Sequence, residues 1–395
     1  MASTLSQIDE LNWKITGYSS AKYVDEYIKK TNWVGLCQIA SSLNNGISCV
    51  LLDKTTNGLN NLVRILQFED GTKWIARIRF RTSASSLVRL RSEVHVMQLI
   101  KEKSNLPIPK VFAYETDEHN PVGVPFILME FLPGNTGMDS GGGFDVHRGR
   151  IPRGSCQKFY RSVADCQVQM TALRFPKIGT IVKTEDGYDI GPFQDIGGPF
   201  DTVAAFFEAW AENAQFPSNE QKIRDLMKGA PIEWTEEVLK SINEFPSQIK
   251  ALARDLLHRD GNNGPFPLCH TDFLHSNIIV DDNFDVLGII DWEGACTLPL
   301  QLITFPNFLK ALPRPFDSPN NYDEDGQPVD AEDKQRWQDR RDYVQMVKSA
   351  EYEDHILSTC LSNEKHVSIA YCMTAFENGK LGFYNRVVDE LRKIT

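Results

Sequence analysis

The stretch covering residues 268–293, LCHTDFLHSNIIVDDNFDVLGIIDWE, constrains this chain more than any other. A polar cluster of His270, Asp272, His275 and Asn277 is followed at once by the apolar run Ile278-Ile279-Val280. Asp281-Asp282-Asn283 supplies turn chemistry, because short polar side chains can bond to nearby backbone and stabilise a chain reversal. A second apolar run, 286–290, then delivers Asp291. Two short apolar runs around such a turn read as a pair of strands. The chain comes back to where it started, so Asp272, Asn277 and Asp291 are expected at one end of a small hairpin.

That trio suits phosphoryl transfer, which asks for positioning and neutralisation of phosphate charge more than for covalent help. Asp272 would accept or orient the proton of an attacking hydroxyl, and His270 would buttress the loop beside it. Asn277 and Asp291 offer the hard oxygens that Mg²⁺ prefers. A His-x-Asp tripeptide alone more often caps a turn. Here the step from Asp272 to Asn277, the strand that follows and the strand-borne Asp291 all agree. A transition-metal site built on His270, Asp272 and His275 is the rival, but no second cluster completes its coordination.

Elsewhere the sequence mostly excludes. With 395 residues there is room for two lobes. A formal charge of −11 argues against nonspecific nucleic-acid binding, which needs clustered Lys and Arg. No apolar run approaches the length of a membrane span. The first ten residues lack a basic segment followed by an apolar one, so no secretory signal is expected. Eight cysteines are scattered without metal or disulfide spacing, the pattern of reduced cytoplasmic thiols.

In chain order, residues 1–46 read as a helical extension. Strands are expected at 47–52, 61–68 and 73–80, with a loop at 55–60, then a helix capped by Ser85 or Ser86 and ending near Glu102. Two further strands, 111–114 and 126–131, complete five strands around one helix, a lobe spanning 47–132. Residues 135–154 are Gly-rich and read as a loop, followed by a helix at 157–173 and a hairpin at 178–192. Helices are expected at 201–214, 218–228 and 234–260. Beyond the opening stretch the chain reads as helical, broken at 313–328, so that 133–395 forms a large, mainly helical lobe.

A phosphate-binding site also wants a strand cation paired with a helix carboxylate. Arg77 in Trp74-Ile75-Ala76-Arg77-Ile78 and Glu93 on the following helix are the natural pair, with Arg79 the competing cation. No Gly-rich G-x-G-x-x-G loop precedes them; Gly58 is the glycine in the corresponding turn. Glu130 and Leu132, in Met129-Glu130-Phe131-Leu132, fall where an interlobe hinge would offer a carbonyl and an amide to adenine.

With these residues in view, the sequence resembles the aminoglycoside phosphotransferase and choline-kinase-like family, specifically its fungal members. The resemblance runs from about Gly58 to Cys296 through GLNNLVRILQFEDGTKWIARI, LRSEVHVMQLI, LPIPKVFAYE, VPFILMEFLPG and the opening stretch. It implies an α+β, bilobal protein-kinase-like fold that moves the γ-phosphoryl group of ATP to a hydroxyl of a small molecule. It further implies Asp272 as base, Mg²⁺ on Asn277 and Asp291, and Arg77 with Glu93 in place of a Lys–Glu pair. Nothing after Asp291 resembles an activation loop, which argues against a protein substrate; a non-catalytic nucleotide- or metabolite-binding pseudokinase is the alternative. The acidic run from Asp323 to Asp333, and Glu293 after the metal Asp, are candidate carboxylates for an amine-bearing acceptor.

Overall fold

Period-two alternation sets the first sheet. In the computed structural model, which describes residues 11–17, 19–256, 262–352 and 354–392, five strands pair antiparallel. They are β1 (Cys49–Asn57), β2 (Asn61–Phe68), β3 (Lys73–Arg79), β4 (Val111–Glu115) and β5 (Phe126–Glu130), in the order β1-β2-β3-β5-β4. Successive side chains of a strand point to opposite faces. On β3, Trp74, Ala76 and Ile78 are buried in one cluster with Leu62 and Leu66 of β2. Val24, Tyr27, Leu36 and Ala40 cover that cluster. They come from two short helices, α1 (Val24–Lys30) and α2 (Trp33–Leu43). The intervening Arg77 and Arg79 must therefore share the opposite face. There they meet α3 (Ala84–Lys103), whose Glu93 is buried.

Three local differences from the sequence reading have simple causes. α3 is capped by Ser83, whose hydroxyl accepts the Ser86 N–H at 3.3 Å, not by Ser85 or Ser86. β1 runs through the expected loop as far as Asn57, after a bulge between Leu51 and Thr55. The β-branched Thr55 and Thr56 pair with Arg64 and Val63 there. Residues 11–17 form no helix, because side chains satisfy their backbone instead. Asn57 accepts the Thr16 N–H at 2.8 Å, and Thr56 donates to the Lys14 carbonyl at 2.9 Å. The first ten residues of the expected helical extension lie outside the described residues.

Among the described residues the further strands are β6 (Asn135–Thr136), β7 (Arg174–Phe175), β8 (Gly179–Thr184), β9 (Gly187–Gly191), β10 (Phe266–Cys269), β11 (Ile278–Val280), β12 (Val286–Ile289) and β13 (Cys296–Thr297). They form two sheets, β12-β11-β6 and β7-β10-β13-β8-β9. The segment expected to be a loop, 135–154, thus holds β6 and the short helix α4 (Gly143–His147). Gly134, at the entrance to β6, has to be glycine. A Cβ there would lie 2.1 Å from the Val280 carbonyl oxygen of β11.

The remaining helices are α5 (Arg153–Ala172), α6 (Val203–Asn213), α7 (Glu220–Leu226), α8 (Ile232–Leu256), α9 (Ala331–Ala350), α10 (Ile356–Ser362), α11 (Glu364–Glu377) and α12 (Tyr384–Arg392). Residues 257–260 of the expected long helix lie outside the described residues. Between β13 and α9 the chain makes 3-10 turns, and Pro299, Pro306, Pro313 and Pro315 explain why it does not become helical sooner. The chain divides into two compact units. The first takes the chain up to Ser162, with Val182–Tyr188 and His270–Ala295; the second takes Val163–Ile181, Asp189–Cys269 and the chain from Cys296 onward. The second has its own aromatic core, in which Phe245, Phe376, Tyr384 and Phe316 are buried edge to face or tilted. No helix among the described residues is long and apolar enough to cross a membrane.

Candidate active site

The hairpin expected from the sequence is present. β11 and β12 pair through Ile278 with Ile289 and Ile279 with Gly288. Asp281 makes the turn by accepting the Asn283 and Asp285 N–H groups at 2.9 and 2.8 Å. The ladder continues past the strands, with the Ile290 N–H on the Asn277 carbonyl at 2.9 Å. Asn277 and Asp291 are thereby fixed at one end of the hairpin. Asp272 joins them because the Asn277 amide nitrogen donates to its carbonyl at 2.9 Å and to its carboxylate at 3.0 Å. Asp272 is exposed, whereas Asn277 is buried.

His270 ties the loop to the strand end. Its Nδ1 accepts the Asp272 N–H at 3.2 Å, and its Nε2 lies 3.0 Å from the Ile290 carbonyl, to which it donates. That division of roles describes one neutral tautomer. Burial, opposed by the Ile290 carbonyl and by Asp291 and Asp272, draws its pKa below the ordinary histidine value. With both ring nitrogens engaged, the transition-metal reading loses its first ligand. The ring also packs on the fully buried Trp292 at 4.7 Å.

Asp291 has a φ of 62°, in the left-handed region that Asp tolerates better than branched residues do. Its carboxylate meets Arg77 Nη2 at 2.6 Å, and Arg77 Nη1 also donates to Glu93. Chemistry orients the Asn61 amide with its oxygen toward the same guanidinium, accepting from Nε at 3.0 Å and Nη2 at 2.8 Å. Arg79, the competing cation, forks onto Glu293 at 2.6 and 2.9 Å, and its Nε reaches Ser86 Oγ at 2.8 Å. Arg77 thus takes Glu93. Glu293, expected to face an acceptor, is instead consumed by Arg79, with its side chain only 13% exposed. The sequence signal for this second pair is limited to a shared spacing: Arg77-x-Arg79 on β3 meets Asp291-x-Glu293, which follows β12 outside any strand.

Burial pushes the Glu93 carboxyl up to about 7, with Arg77 opposing and Asp291 and Glu293 adding to the rise. For Asp291 desolvation also works upward, but the charge and hydrogen bond of Arg77 outweigh it and hold the group below the usual carboxylate range. Carboxylate oxygens of Glu93, Asp291 and Glu293 lie within 4.8 Å of one another. The two guanidinium groups offset two of those three carboxylate charges. For a hard cation the better donors are the Asn277 amide oxygen, whose nitrogen is spent on Asp272, and the second oxygen of Asp291. Both suit Mg²⁺.

Gly58 sits at the turn between β1 and β2, its N–H on the Asn61 carbonyl at 3.0 Å and its own carbonyl accepting the Ser20 hydroxyl at 2.8 Å. Asn61 next to it pairs in register with Arg79. Glu130 ends β5, exchanging its N–H and carboxylate with Lys110, and the Leu132 carbonyl accepts the Gly134 N–H. Of these residues, Asn61 bonds to the cluster through Arg77, whereas these hydrogen bonds of Gly58, Glu130 and Leu132 go elsewhere. The acidic run is used locally. Asp323 accepts the Gln327 N–H at 2.8 Å, and Asp330 caps α9 through the Glu332 and Asp333 N–H groups. Asp323, Glu324 and Asp325 are exposed to solvent.

A five-stranded antiparallel sheet with one helix, an Arg–Glu pair and an Asp–Asn loop ahead of a strand-borne Asp defines a protein-kinase-like α+β fold. Residues 55–301 match the model of the phosphotransferase enzyme family, and the chain belongs to that family. It is similar to a subtelomeric hrmA-associated cluster protein of Aspergillus fumigatus, 29% identical over 138 residues, covering 35% of this chain and 26% of that protein. It is also similar to altered inheritance of mitochondria protein 9, mitochondrial, of Kluyveromyces lactis, 23% identical over 286 residues, covering 60% of this chain and 45% of that one. The chain therefore spans less than half the length of these curated relatives. Among solved structures, a macrolide 2'-phosphotransferase from Brachybacterium faecium shares 14% identity and a TM-score of 0.39, over 91% of this chain and 98% of that one.

Proposed function

We propose that the chain is an ATP-dependent O-phosphotransferase acting on a hydroxyl of a small molecule. The observation that carries the reading is the shared hairpin end, where Asn277 bonds to Asp272 and is tied through the Ile290 N–H to the residue before Asp291. Asp272, exposed and oriented by Asn277, takes the acceptor proton. His270 holds the loop. Asn277 and Asp291 would hold Mg²⁺, which supplies neutralisation of the nucleotide phosphates. Arg77, kept in place by Glu93, is the cation for the same phosphates. In this reading 47–132 serves the nucleotide, with Gly58 near its phosphates and Glu130 and Leu132 at its base, and 133–395 serves the catalytic loop and the acceptor. A reducing compartment such as the cytoplasm, which the scattered cysteine spacing of the sequence suggests, suits this reading.

One observation favours a second reading, a non-catalytic nucleotide- or metabolite-binding protein. Arg77 bonds directly to Asp291, the group assigned to the metal. Phosphate transfer from ATP to a panel of amino alcohols separates the two. Turnover should be measurable and should fall by about 10²-fold or more in Asp272→Asn, with ATP affinity little changed. Turnover in Asp272→Asn equal to that of the wild type would remove Asp272 from the base role, and no turnover in either would favour the second reading.

A further inference from the structure

We propose that the helical second unit carries a separate binding site for a small organic anion, a carboxylate or phosphate on an apolar body. The site is a cavity of about 690 Å³ walled by residues from the chain at 305–315 and from α9 to α12. That volume is within the usual range for small-molecule sites. All its lining residues belong to the second unit, and none belongs to the Asp272 cluster.

Phe305, Leu312, Trp337, Leu361 and Val387 give the cavity its apolar surface. Set into the same wall is Arg340 of α9, whose side chain is only 9% exposed. Its guanidinium lies over the Phe305 ring at 4.3 Å. Nη2 reaches Glu364 at 3.4 Å, long for a charge-assisted bond, and the Glu364 side chain is 75% exposed, so solvent screens the pair. Arg340 Nε is buried with no acceptor among the described residues. Native interiors seldom leave a donor in that state, least of all a charged one. Burial accordingly pulls the Arg340 pKa down, with Glu364 opposing.

Arg314 lines the same cavity, its guanidinium over the Tyr322 ring at 6.0 Å. Among the described residues it makes no ion pair. Together Arg314, Arg340, Arg341 and Lys365 outnumber the lining carboxylates Asp342, Glu364 and Glu390, in a chain whose net charge is −11. Two oxygens of one anion match the fork of a guanidinium. They would take N–H groups of Arg340 and Arg314 where these side chains line the cavity, while the apolar body rests against Trp337 and Leu361. An uncharged ligand of the same shape would leave Arg340 as it is.

Calorimetric titration of the full chain without nucleotide tests this, using benzoate, phenyl phosphate and benzyl alcohol as probes. Saturable binding of at least one of the two anions is expected, the tighter one identifying the preferred head group, with benzyl alcohol at least about tenfold weaker. Arg340→Met should weaken the anion by at least about tenfold. Ser368→Trp, which plugs the cavity from α11, should abolish binding without depending on how Arg340→Met folds. Asp272→Asn should bind as the wild type does, which separates this site from the phosphotransfer reading. Benzyl alcohol binding as tightly as the anions would overturn the proposal. So would the absence of saturable binding by either anion, or anion binding that persists in Ser368→Trp.

Discussion

Arg77 shows how much one side chain decides at the residue scale. It stands between Glu93 and Asp291, with Asn61 on its remaining edge, so removing it would strand a buried carboxylate. Such a loss costs about 3–5 kcal/mol where the partner stays buried and charged. Glu93 carries a pH signature. Its folded value of about 7 lies above its ordinary 4.5. A raised carboxyl favours the protonated folded state, so its contribution is full below about pH 4.5 and is lost as pH rises through about 7. Urea denaturation of wild type and Glu93→Gln across that window should show the wild type losing ground to the variant, by no more than about 3 kcal/mol. Parallel pH curves would mean that Glu93 is ionised throughout.

Two glycines make the argument at the scale of the element. Gly134 lets β6 approach β11 so closely that a Cβ would strike the Val280 carbonyl, a backbone atom that cannot swing away. Gly134→Ala should destabilise by about 1–3 kcal/mol, read as a lower melting temperature. Gly58 has no atom within 4 Å of a Cβ placed on it. Gly58→Ala should leave the unfolding free energy within about 0.5 kcal/mol of the wild type. If the turn approaches the nucleotide phosphates, the same variant should weaken ATP binding, and an unchanged ATP affinity would take Gly58 out of the site. Paired this way, the two variants separate a glycine that is needed for packing from one that leaves room for a ligand.

Across the whole molecule, the first sheet is covered on one face by α1 and α2 and faces the Arg77 and Arg79 cluster on the other. The site therefore sits on a two-sided, packed scaffold. Asn277 and Asp291 contribute one formal charge between them, too little to hold a cation without the nucleotide's own phosphates. Thermal shift should register this as cooperation. ATP with Mg²⁺ should raise the melting temperature clearly more than ATP with EDTA, because only the bridged ligand binds the folded state tightly. Equal shifts in the two conditions would remove the metal from Asn277 and Asp291.

The hairpin and the residues at its end were legible because each step was local. Apolar runs of strand length flank a turn whose Asp281 bonds to nearby backbone, and such a reversal brings Asn277 and Asp291 to one end, where the Asn277 amide holds Asp272. The five strands and their helix were legible for the same reason, through period, although the cap falls on Ser83 and not on Ser85 or Ser86. What tertiary structure decided was pairing between distant residues. Arg77 and Arg79 share a face of β3, so the sequence favoured Arg77 as the partner of Glu93 but left Arg79 as a competitor; the structure pairs Arg77 with Glu93 and Arg79 with Glu293. Two-residue strands such as β7 and β13 have no pattern of their own and exist because β10 offers them an edge. The acidic run looked like a charged wall only until Asp323 and Asp330 found backbone donors within a few residues. Local chemistry fixes turns, caps and strand faces; which charges neutralise one another depends on where the chain brings them in space.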